Sequence, residues 1–200
     1  MQNKKTSIFS SPSRISDHII QGVLIFASVF LAFLLNEVRV NQIERNEAER
    51  VLNAVIGEIQ SNLDILERWA PRHLELSEKT KHLIDASGDE LSEFRLDELD
   101  TEGRGILREI LTYDGWDFLR YNDAKIEINK RLQIYRIYRQ QEYVDQAVNN
   151  TIEFLADRTL MDPELALENH YIFYRLITEL YYQELAMIKN YKLVLEKLTQ

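Results

Sequence analysis

From Ile19 to Leu35 the chain is apolar except for Gln21, Gly22 and Ser28, and this run constrains the fold more than any other feature of the 200 residues. A helix that crosses a bilayer needs about 20 mostly apolar residues. The stretch from Ile15 to Val38 supplies that length, with Asp17 and Glu37 near its two ends. A helix of a soluble core normally keeps a polar face, but from Val23 to Leu35 only Ser28 is polar. A secretory signal has the same order of basic leader and apolar core, yet its core runs to only about 7 to 15 residues and ends in a small-residue cleavage site. Here the run is followed by Asn36 and Glu37 with no such site. The reading is a transmembrane helix over residues 15–38, a short basic cytoplasmic leader over 1–14, and a body over 39–200.

Orientation depends on Lys and Arg near the two ends of the span. Lys4, Lys5 and Arg14 on one side are matched by Arg39, Arg45 and Arg50 on the other. The short leader tips the balance toward an amino end in the cytoplasm and a periplasmic body. The chain has 33 acidic and 24 basic residues, a net charge of -9, and the excess lies in the body. Such a surface repels phosphate backbones, which argues against a nucleic-acid partner. Cysteine is absent, so disulfides and thiolate metal sites are excluded, while either redox compartment stays open.

With six glycines, three prolines and apolar spacing in steps of three and four, the fold class is all-α. Leu52, Val55, Ile56, Ile59, Leu63 and Leu66 extend the membrane helix into a long stalk, and Pro71 is expected to end it. A second helix is expected over Arg72 to Ala86, broken at Ser87, Gly88 and Asp89. A short helix over Ile106 to Thr112 precedes a turn at Asp114 and Gly115. A long helix then starts near Asn122 or Asp123, with Ile126, Ile134, Ile137, Val144, Val148, Ile152 and Leu155 facing inward. After a turn at Asp162 and Pro163, a last helix buries Phe173, Ile177, Leu180, Met187, Tyr191, Val194 and Leu198. These faces are too wide for a bare two-stranded coiled coil, which points to an antiparallel three- to four-helix bundle. Apolar stalk positions Leu52, Ile59 and Leu66, with the small-xxx-small pair Ser28 and Ala32 in the membrane, also suggest dimerisation through the anchor and stalk.

Little in this pattern carries chemistry. His18, His73, His82 and His170 lack the Glu-x-x-His and His-Glu-x-x-His spacings of metal helices and read as solvent histidines. Gly103-Arg104-Gly105 lacks the third glycine of a phosphate-binding turn, and the Asn149-Asn150-Thr151 triplet lies in a helix rather than on a loop. Aromatic residues cluster at Tyr113, Trp116, Phe118 and Tyr121, and again from Tyr171 to Tyr191. Packing with a wet hydroxyl explains them better than a pocket. The one candidate interaction surface is Asp114, Trp116, Asp117 and Arg120, where the two aspartates are also candidate helix caps. No catalytic residue, cofactor or metal ligand is indicated. The expected role is protein interaction, assembly or sensing, with a protein partner or homo-oligomer; the alternative is a small-ligand-binding or enzymatic domain built on Asp114 to Tyr121.

The order of features resembles a family of bacterial inner-membrane proteins that carry a helical domain of unknown function. The residues that carry the resemblance are Leu35-Asn36-Glu37-Val38-Arg39, then Glu44-Arg45-Asn46-Glu47-Ala48-Glu49-Arg50, then Leu52, Glu58, Ile59, Asn62 and Leu66. Trp116 to Leu119 and Tyr135 to Tyr143 echo the family's aromatic segment and its Tyr-bearing long helix. Val38 stands where a tryptophan is common, and the Ser-Gly pair after the aromatic segment is missing. The resemblance implies a bacterial inner-membrane location and brings no catalytic residues.

Overall fold

The computed structural model describes residues 12–87, 91, 93–101 and 103–199. Lys4 and Lys5 of the leader and the expected break at Gly88 and Asp89 lie outside the described residues. The described elements are α1 (Pro12–Ser87), α2 (Leu96–Leu99), α3 (Asp114–Tyr121), α4 (Ile128–Leu155) and α5 (Ala166–Leu198), with 3-10 turns at Arg158–Met161 and Pro163–Leu165. The fold is all-α, and no strand occurs among the described residues. The chain divides into two units, Met1–Glu47 and Ala48–Gln200, and α1 contributes residues to both.

In the first unit every described side chain from Asp17 to Ile43 is exposed. The mean hydropathy of this stretch reaches 2.3 over an 18-residue window, so the helix is long and apolar enough to cross a membrane. Phe26 and Phe30 stack with ring centres 6.3 Å apart. Ser28 and Ala32 are exposed like their neighbours, and the Ser28 hydroxyl donates back to the Leu24 carbonyl at 2.7 Å, so it is satisfied within its own helix.

In the second unit, Val51, Val55, Ile59, Leu63 and Leu66 of α1 form one ridge of the main core. Ile134, Ile137, Val144 and Ala147 of α4 and Leu180, Met187, Tyr191 and Leu198 of α5 complete it. A smaller cluster gathers Leu76, Phe94, Leu99, Leu160, Phe173 and Ile177. Contacts fix the helix directions. Rising positions on α1, Glu67, His73 and Ser77, meet falling positions on α5, Lys192, Glu184 and Thr178, so these helices are antiparallel. Glu58 and Asn62 of α1 meet Tyr138 and Gln141 of α4 in the same order, so those two run parallel. The segment between α1 and α4 therefore returns the chain to the end from which it came. Ile59 and Leu66, expected on a seam between two copies, are fully buried inside this core.

Four sequence expectations are corrected here. Pro71 lies inside α1 rather than ending it. Pro71 and Glu67, whose carbonyl it cannot serve, are both on the exposed side, while Ala70, His73, Leu76 and Ser77 stay packed, so tertiary contact outweighs the lost backbone bond. Residues 106–112 form no helix. Their backbone is taken by side chains instead: Thr112 N–H donates to Asn62 Oδ1 at 3.0 Å, and the Thr112 carbonyl accepts from Asn62 Nδ2 and Gln141 Nε2. Asp114 and Gly115 open α3 rather than forming a turn. A Cβ on Gly115 would stand 3.1 Å from both the Ala54 carbonyl oxygen and the Val55 Cα, so glycine serves close approach to α1 here. Finally, α4 starts at Ile128, not at Asn122 or Asp123, because Arg131 holds the carbonyls of Leu119 and Asn122 and stabilises an extended link.

Candidate functional site

Trp116 is half-buried. It stacks on Tyr138 at 5.5 Å and lies 5.9 Å from Tyr135, while the Arg120 guanidinium sits 5.8 Å from its ring centre. These residues, with Arg139 and Glu142, line a depression of about 270 Å³. Asp114 and Asp117 are exposed outside it, and Asp117 pairs with Arg120 at 3.6 Å. The structure thus unites half of the expected surface and leaves both aspartates in solvent.

Neither aspartate caps α3; its N-cap is Tyr113, without a side-chain bond. The cap comes from another helix. Glu58 of α1 accepts the backbone N–H groups of Gly115 and Trp116 at 3.0 and 3.3 Å, and also the Tyr138 hydroxyl. A carboxylate at this position satisfies orphan donors and opposes the positive helix end. Its second oxygen, Oε1, is buried without a hydrogen-bond partner.

Glu58 begins a column of buried polar groups along the inner face of α1. One turn on, Asn62 bonds Thr112 and Gln141, and Gln141 accepts from the Tyr191 hydroxyl. Further along, His73 Nδ1 lies 2.7 Å from Glu184 Oε2, and both side chains have no exposed surface. Its Nε2 faces the Ile106 carbonyl at 2.9 Å, so Nε2 carries a proton, and a second proton lies between Nδ1 and the carboxyl oxygen. Arg108, 1% exposed at its side chain, bridges Glu184 at 3.2 Å to Asp145 at 2.7 Å. Asp145 also accepts from the Tyr113 hydroxyl at 2.6 Å. Burial first, then the neighbouring Glu58 and Asp145 carboxylates, raises the Tyr138 and Tyr113 hydroxyls well above the ordinary tyrosine range. Burial does the same to Tyr191. All three remain fixed donors at any physiological pH.

Two expectations fail at this column. His73 and His170 are not solvent histidines: His170 is 2% exposed, bonds the Ala166 carbonyl at 2.8 Å and meets the Phe94 ring edge. Nor does Tyr191 keep its hydroxyl wet, since it is enclosed with Gln141 as its acceptor. The signal for the column was in the sequence. Glu58, Asn62 and His73 interrupt the apolar ridge of α1 at inward positions, where a polar residue needs a partner.

At the far end of the column, Arg72 is 5% exposed at its side chain and pairs with Asp100 and with Glu75. Asp100 also accepts the N–H groups of Arg104 and Gly105, so the loop closes around its own carboxylate. Gly103 and Gly105 take φ of 63° and 87°, which suits glycine. The Lys79 ammonium, joined by Arg72 and Arg104, lowers the Glu75 carboxyl to about 2. Among the described residues no group of three or more His, Asp or Glu is placed to hold a metal ion. No family model matches the chain, and neither a curated protein nor a solved structure matches it.

Proposed function

We propose that this chain is a single-pass protein of the bacterial inner membrane whose helical body is a periplasmic interaction module, of an assembly or sensing kind. The observation that carries the reading is the exposure of every large apolar side chain on α1 from Ile19 to Leu35, which in water would be costly and in hydrocarbon is favourable. An interaction role for the body is supported by the way its buried charges are spent. Glu184 touches His73 and Arg108, and Glu58 holds α3, so each works on another part of the same chain. A bundle of this kind presents an acidic surface to a partner or to a second copy.

Because the chain has no cysteine, single-cysteine variants test the proposal cleanly. In spheroplasts, a membrane-impermeant maleimide is expected to label Ser61→Cys without lysis and to leave Val29→Cys unlabelled until detergent is added. Labelling of Ser61→Cys only after lysis would reverse the orientation, and ready labelling of Val29→Cys would remove the span. Light scattering of the mildly extracted protein reports the association, and a lone monomer there would speak against an assembly role.

A further inference from the structure

A pocket of about 390 Å³ opens on the second unit, lined by Arg68, Trp69, Arg72, Arg104 and Glu109. In a chain of net charge -9, cations outnumber carboxylates in this lining, Arg68, Arg72 and Arg104 against Glu109, while Glu75 and Asp100 pair with Arg72 beside it. The three carboxylates are not equivalent. Asp100 and Glu75 are tied into the Arg72 network, Asp100 by two backbone N–H groups as well.

Glu109 is different, because its side chain is 53% exposed and its main ties are to pocket residues that are exposed or half-buried themselves. One oxygen accepts from Arg68 Nη2 at 2.8 Å and the other from the Trp69 indole N–H. Arg68 and Trp69 therefore form a two-point carboxylate receptor, filled in this structure by a residue of the same chain. An exposed ion pair contributes little, so an external carboxylate can exchange with it at small cost. Trp69 adds a flat apolar wall beside the charge, with the buried His73 ring 5.7 Å from its centre. The Arg104 guanidinium, 48% exposed at its side chain and paired with Glu75, lines the same pocket. The pocket volume falls in the range of small-molecule sites.

We infer that this pocket binds a small organic carboxylate with a planar apolar part, the carboxylate displacing Glu109 from Arg68 and Trp69 and the planar part lying on the indole. The inference concerns the helical body alone and does not rest on the membrane reading. It makes Glu109 a tethered competitor, and a competitor has a signature that a merely structural residue lacks: its neutralisation strengthens binding.

The test uses the full-length chain in detergent micelles, with benzoate as probe. Phenyl phosphate, inorganic phosphate and benzyl alcohol separate the contributions of head group, charge and ring. Calorimetry reads the unsubstituted chain, and fluorescence reads a Trp116→Phe variant in which Trp69 is the remaining tryptophan. Benzoate is expected to saturate, to bind about three- to fivefold more tightly to Glu109→Gln, and to bind about tenfold more weakly to Arg68→Ala. Absence of saturable binding to both the unsubstituted chain and Glu109→Gln would overturn the inference. So would an equal response to benzyl alcohol, or tighter binding of phenyl phosphate or inorganic phosphate than of benzoate. Unchanged circular dichroism of Glu109→Gln secures the comparison even if Arg68→Ala fails to fold.

Discussion

Phe26 and Phe33 are 73% and 69% exposed, while His73 and Glu184, on the same helix and on its neighbour in the body, have no exposed surface at all. The two regions of the chain invert the usual rule in opposite directions. In the first, apolar side chains are exposed on every side of the helix, which is unfavourable in water and favourable in an apolar medium. In the second, His73, Arg108 and Glu184 lack water, so each depends on a partner supplied by a distant segment of the chain. The contrast teaches how each region is specified. An apolar exterior demands only an apolar medium and tolerates rotation about the helix axis. A buried charge network accepts one rotation and one register, because Glu184 can reach His73 and Arg108 together in only one packing of α1 against α5.

The largest effect that bears on this contrast comes from Glu184→Ala. It leaves His73 and Arg108 buried without their shared carboxylate and is expected to cost about 3–5 kcal/mol. Thermal melting followed by circular dichroism reads it. A loss below about 1 kcal/mol would mean that the network does not organise the body, since removing one partner of a buried pair normally costs more. On the other side, Leu24→Arg is expected to oppose insertion by about 2.5–3.5 kcal/mol and to shift the protein from the membrane to the aqueous or aggregated fraction. The same substitution leaves the melting of the body unchanged, because Leu24 belongs to the first unit.

Smaller effects sharpen the picture within the body. Gly115→Ala places a methyl group 3.0 Å from Glu58 Oε2 and 3.1 Å from α1 backbone, and is expected to lose about 1–3 kcal/mol as α3 lifts away. Hydrogen exchange of the Gly115 and Trp116 amides reports it directly. The smallest effect is set by pH. The Glu75 carboxyl is lowered from 4.5 to about 2 in the folded chain, so its contribution is complete above the unfolded value and is lost as pH falls from 4.5 through 2. Solvent screening keeps that contribution under about 1 kcal/mol. Glu75→Gln should therefore flatten the acid limb of the stability curve slightly, and an unchanged curve would remove Glu75 from the account.

The helical class and about half of the buried apolar positions were legible because apolar spacing is a local property: Val55, Ile59, Phe173, Ile177 and Leu180 follow from steps of three and four alone, whereas Ile152, expected to face inward on the same grounds, is exposed. Whatever depends on a partner distant in sequence was not. Pro71 reads as a stop until the packing of Ala70 and His73 on either side is known. Gly115 reads as a turn until Glu58, 57 residues earlier, is seen to cap the helix it opens. Residues 106–112 have helical composition, but Asn62 and Gln141 take up the backbone groups of Thr112. The candidate surface was half legible. Trp116 and Arg120 do meet at a depression, whereas the Arg68–Trp69–Glu109 cluster joins residues 40 apart and left no local pattern.

In this reading lipid covers the apolar exterior of α1 from Ile19 to Leu35. Extraction of cell membranes at alkaline carbonate pH tests it most directly, because that treatment strips peripheral proteins and retains inserted ones. The chain is expected to stay with the membrane pellet in carbonate and to leave it only with detergent. Recovery of intact, uncleaved and monodisperse chain in the carbonate supernatant would contradict it.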